Sequence, residues 1–130
     1  MPGPSHRPTS KGFAFMGLSV VTTTLPSAED AQRMASGAVQ ARLAACVQVD
    51  AITSHYAWEG RLEEVAEWRL VLKTVPDAVQ PLVEWLRSQH PYELPQILLR
   101  GEQAQRDYGQ WVAQNVQLPA AAAASSKVVS

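Results

Sequence analysis

A single cysteine, Cys46, occurs in 130 residues, so no intramolecular disulfide can form. A secreted scaffold of this size held by bridges carries an even set of cysteines, and the lone thiol points instead to the reducing cytoplasm. Charge of one sign is equally scarce. Eleven Lys plus Arg face twelve Asp plus Glu, a formal net charge of −1 with no long block of either, and no field for nucleic acid or an anionic membrane follows. Long apolar runs are missing too, because Glu, Arg, Gln or Pro interrupts them every few residues, well short of the roughly 20 needed to cross a bilayer. The chain lacks a Gly-rich phosphate loop, a nucleophile elbow, a His-Glu-x-x-His helix and an RNP-type aromatic-basic strand. The expectation is a non-catalytic protein whose partners include neither nucleic acid nor membrane.

What remains is an ordinary globular composition, 46% hydrophobic and 18% charged, which suits one domain. Residues 1–12 carry three prolines and no apolar h-region, so they read as a flexible N-terminal segment rather than a secretory signal. Residues 119–130, PAAAAASSKVVS, have low complexity and no apolar stripe and read as a disordered tail. The domain is expected over residues 13–118.

Within it, the β-branched run Phe15 to Thr24 predicts a strand that Pro26 ends. Ser27, with Glu29 and Asp30 behind it, predicts a capped helix carrying Ala31, Met34, Ala35 and Ala38 on one side and Arg42 in its last turn. Residues 45–58 alternate as a long strand, Glu59-Gly60 suits a turn, and Arg61 to Lys73 resumes the strand pattern. Thr74 or Asp77 is placed to cap a second helix with Val79, Leu82, Val83 and Leu86 at i, i+3, i+4 and i+7, ending at His90-Pro91. A short strand is expected over Gln96 to Leu99. Asp107 is then placed to cap a third helix with Tyr108, Trp111, Val112 and Val116 inward.

This order is the α+β, ferredoxin-like βαββαβ arrangement with an added C-terminal helix. Such a fold hosts enzymes, RNA binders, metal carriers and regulators, so order alone assigns no function. The hairpin arms, roughly 14 residues each, far exceed the usual 5 to 6 and would expose unpaired backbone unless a neighbour covers them. Trp58 and Trp68 supply aromatic area for such an interface.

Six stretches carry a resemblance: VVTTTLPS from Val20, RLAACV from Arg42, SHYAWEGRLEE from Ser54, LVLKT from Leu70, HPYELP from His90 and DYGQW from Asp107. Together, in this order between Val20 and Val116, they make the chain similar to the CutA divalent-cation-tolerance family. The resemblance implies a PII-like homotrimer, with long hairpins reaching onto neighbouring subunits and a link to copper or another divalent cation. Copper ligands proposed for some members are a first-strand cysteine and a histidine pair before Pro-Tyr. Here those positions read Thr23 and Gln89-His90, leaving His90 as the sole metal candidate. The segment VQVDAI also lacks the family's Pro-Gly kink and is one residue shorter.

The expected ligand cleft, between subunits, comprises Trp58, Glu67, Lys73, Tyr92 and Glu93, with His90 toward a metal. Each has a plainer reading. A histidine before proline suits a helix C-terminus, Glu63, Glu64 and Glu67 suit a solvated hairpin face, and Lys73 suits either Glu93 or an anion. Cys46 suits a small buried hydrophobe. Tyr56, Trp58, Tyr92, Tyr108 and Trp111 suit packing within or between subunits.

Overall fold

A computed structural model describes residues 14–118; the segments 1–12 and 119–130, expected to be flexible and disordered, lie outside the described residues. The elements are β1 (Phe15–Leu25), α1 (Ala28–Gln40), β2 (Cys46–Trp58), β3 (Arg61–Thr74), α2 (Val79–Gln89), β4 (Ile97–Gln105) and α3 (Arg106–Gln114), with a short 3₁₀ turn over Pro76–Ala78 before α2. The four strands form one sheet in the order β2-β3-β1-β4, each neighbouring pair antiparallel. This is the ferredoxin-like arrangement read from the sequence, closed by α3.

Side-chain alternation divides β1 between two cores. Val21 and Leu25 join Leu70 and Leu72 beneath α1 and α2, where Ala31, Met34, Ala38, Leu82 and Leu86 are buried. Burying each of the leucines contributes about 1.5–3 kcal/mol. Leu18, of opposite parity, meets Val112, Tyr108 and Trp111 of α3 on the other face. Two glycines set these distances. A Cβ on Gly37 would lie 3.1 Å from the Trp85 ring of α2, and one on Gly109 would collide with Met16 Cγ and Sδ.

Ser27 caps α1 as its position implied, Oγ accepting from the Asp30 N–H at 3.1 Å. Arg42 does not sit in the last turn of α1. The helix ends at Gln40, and Arg42 takes a left-handed φ of 58°. There its carbonyl accepts from Gln117 N at 2.8 Å and its guanidinium donates to Gln114 O at 3.0 Å. Neither Thr74 nor Asp77 caps α2, which grows out of the 3₁₀ turn without a side-chain cap. Thr74 Oγ1 donates instead to Leu43 O. Asp107 lies inside the first turn of α3, one residue beyond its start, so it is no cap either. β4 runs to Gln105, well past Leu99, because its backbone follows β1 down to the Phe15↔Gln105 pair. Gly101, Glu102 and Gln103 hide that strand from a pattern search.

The hairpin turns at Glu59 and Gly60, both with positive φ (50° and 77°), the two-residue geometry that suits the twist of paired strands. β1 pairs with β3 only from Trp68 to Thr74. The distal half of the hairpin, Ile52 to Trp58 against Arg61 to Glu67, therefore projects beyond the sheet.

A cleft under the projecting hairpin

Cross-strand partners share a face, so the pairs Trp58↔Arg61, Tyr56↔Glu63 and Ile52↔Glu67 place Trp58, Tyr56, Arg61, Glu63 and Glu67 on one side of the hairpin. Thr24 pairs with Arg69, two residues from Glu67, so this is also the face turned away from α1 and α2. The segment after α2 closes the space. It crosses the end of β1, and the resulting cleft of roughly 830 Å³ is walled by the hairpin face on one side and Tyr92, Glu93 and Leu94 on the other.

Three contacts hold that crossing segment. Tyr92 Oη donates to Glu67 Oε2 at 2.7 Å, and Glu67 is 8% exposed. Burial, then the Glu67 carboxylate, raises the Tyr92 phenol above its ordinary range, because both oppose a phenolate there. Thr24 Oγ1 reaches Gln96 Oε1 at 3.5 Å. His90 provides the third anchor: its Nδ1 accepts from the Tyr92 N–H at 3.2 Å, and its Nε2 lies 3.0 Å from Thr23 Oγ1. An accepting Nδ1 places the neutral ring's proton on Nε2, which then donates to the hydroxyl. Desolvation lowers the imidazole below its ordinary value, with the Thr24 backbone and Asp30 acting in the opposite direction.

Of the residues expected in the cleft, Trp58, Glu67, Tyr92 and Glu93 come together. Lys73 does not. It pairs with Val20 and Cys46 at the far end of β3, where Nζ lies 5.5 Å over the Tyr108 ring. His90 stands behind the cleft as a strut, both nitrogens engaged. Among the described residues of the single chain no group of three or more His, Cys, Asp or Glu is placed to hold a metal ion. Tyr56, Arg61 and Glu63 also line the cleft, and stepping by two along the hairpin from Trp58 and Glu67 would have found them.

Elsewhere, Cys46 is a free, half-buried thiol beside Tyr108, whose phenol is raised by burial and by that thiol. A second hollow of roughly 420 Å³ on the sheet contains Thr22, Asp50, Arg69 and Arg100. Its charges are already paired: Arg69 grips Asp50 with two bonds, of 3.2 and 2.7 Å, and Arg100 pairs with Glu102, outside the hollow, at 3.0 Å. No helix among the described residues is long and apolar enough to cross a membrane.

Residues 19–115 match the family model described as CutA1 divalent ion tolerance protein. The mouse protein CutA is 37% identical over 115 residues, covering 85% of this chain and 65% of the mouse protein; this chain thus spans less than two thirds of that relative. The structure of CutA from Synechococcus elongatus is similar with a TM-score of 0.77 and 32% identity, covering 80% of this chain and 96% of that one. A structure described as a PII-like protein CutA from Nostoc, in apo form, has a TM-score of 0.73 and 28% identity, covering 78% and 99% of the two chains.

Proposed function

The chain belongs to the CutA1 divalent ion tolerance family, and from that premise we propose that it acts without catalysis, as a homotrimer that holds a small ligand in clefts where its copies meet. The projecting hairpin carries the argument. Among the described residues its distal half has no sheet neighbour beyond its own partner strand, yet it bears Trp58 at 52% exposure on the cleft face, which Leu94 at 78% also lines, and Leu62 at 91% on the opposite face. Large apolar side chains gathered on an unpaired β-arm mark a surface built for contact. A neighbouring copy laid against the arm satisfies its edge and deepens the adjoining cleft.

The donor set favours a PII-like signalling or structural role over metal capture by this copy. His90 offers a metal no free nitrogen unless it releases Thr23 or Tyr92, and a lone imidazole is a poor copper site. The free thiol of Cys46 agrees with a cytoplasmic location, which fractionation of the native source would check.

Light scattering on the full chain, with titration calorimetry against copper(II) chloride on wild type and His90→Ala, tests these points. A mass of three chains is expected, and a monomer would discard the assembly. Tight copper binding that His90→Ala abolishes would reinstate the metal site.

A further inference from the structure

We propose that the cleft beneath the hairpin takes an organic cation, an alkylammonium or quaternary ammonium group, rather than a bare metal ion or an anion. The inference rests on the reading of this cleft as the ligand site and names the class of its occupant.

The charge inside decides the sign. Glu59, Glu63, Glu67 and Glu93 line the space against Arg61 and His55, and His55 sits beside Glu64 with a nitrogen–oxygen distance of 3.5 Å. An anion would meet a surplus of carboxylates. Glu67 is the telling member. It is more than nine-tenths buried, forms no ion pair with any described residue, and only its Oε2 receives a donor, from Tyr92. Its other oxygen, Oε1, accepts from no described side chain and is not sealed from solvent, so it is open to a donor that enters the cleft.

Geometry then separates an organic cation from a metal. Glu63 and Glu67 are four residues apart on a strand, about 13 Å at a rise near 3.4 Å per residue, too far to share one ion. Tyr56, level with Glu63, and Trp58, nearer the tip, line the hairpin side of the cleft, and Tyr92 lines it as well. Aromatic faces attract a diffuse, weakly hydrated cation; a strongly hydrated divalent ion gains more from a cage of oxygens. The cleft has the first kind of wall and lacks the second.

The test is calorimetry of the full chain with choline, with its neutral isostere 3,3-dimethylbutan-1-ol, and with zinc chloride. Choline should saturate a site that the neutral alcohol fills at least about tenfold more weakly. Glu67→Gln should weaken choline about tenfold and Trp58→Ala about fivefold, while both variants keep the wild-type circular dichroism spectrum. Equal affinity for choline and the alcohol, or choline binding indifferent to both substitutions, overturns the inference. Zinc binding lost in Glu67→Gln with no choline binding also overturns it, yet leaves the cleft standing as a ligand site. If none of the three ligands responds to either substitution, the reading of the cleft fails as well.

Discussion

Tyr92→Phe removes one oxygen, and the structure sets what that oxygen is worth. Its hydrogen is donated to Glu67 Oε2 at 2.7 Å, and Glu67 is 8% exposed, so water can replace the lost donor only from the cleft side. A hydrogen bond to a charged group contributes about 1.5–3 kcal/mol. A loss of about 2 kcal/mol is therefore expected, which for a domain of about 100 residues lowers Tm by about 8–16 °C. The partner substitution Glu67→Gln should cost less once Tyr92 is already phenylalanine, giving a coupling of at least about 1 kcal/mol in the double-mutant cycle. Thermal and urea unfolding at one fixed protomer concentration provide the assay, since self-association raises apparent stability with concentration. A cycle that adds to zero coupling, or a Tyr92→Phe loss below about 0.5 kcal/mol, would refute the strut as an energetic feature.

Alkaline titration should show the Tyr92 and Tyr108 phenols ionising above the ordinary value of 10.0. Because both folded values are raised, their stability contribution is intact below pH 10 and is lost as pH climbs through the folded values; phenolate absorbance coinciding with model tyrosine would contradict this. His90 runs the other way. Its folded value is depressed from 6.5, so its contribution is present above pH 6.5 and disappears as acid titrates the folded ring. Urea midpoints should fall below pH 6.5 in wild type and less in His90→Gln, and parallel curves would exclude the imidazole as the cause. Gly109→Ala should cost about 1–3 kcal/mol by driving a methyl into Met16. Adding Met16→Ala should recover part of that loss, so strictly additive penalties would mean the close approach is not what the glycine provides.

Local chemistry made the core elements readable. The run of β-branched residues in β1, the Ser27 cap and the Glu59-Gly60 turn each need only their immediate neighbours, and all three form where their residue types direct. Hidden features depended on distant partners. β4 extends through Gly101 to Gln105 because β1 supplies its hydrogen bonds, and Arg42 turns left-handed with Gln114 and Gln117 as partners more than seventy residues on. The candidate site divides in the same way. Trp58 and Glu67 could be placed together by strand parity, whereas Lys73 has the right parity but the wrong height. Six residues separate it from Glu67 along β3, about 20 Å, and the eleven residues of α2 then carry the chain back by about 16 Å. The His90–Glu93 segment thus returns to the end that Lys73 had left behind. Parity is written in sequence; which end of a sheet a loop revisits follows from matching rises of strand and helix.

The double grip of Arg42 on the last described turn also has a practical side. Gln117 is fastened beside the end of α1, next to the start of β2, and β2 then runs about 40 Å to the tip. A fluorophore or affinity handle attached at Leu118 would sit at the opposite pole from the aromatic-lined opening, so immobilising the protein there leaves its mouth unobstructed.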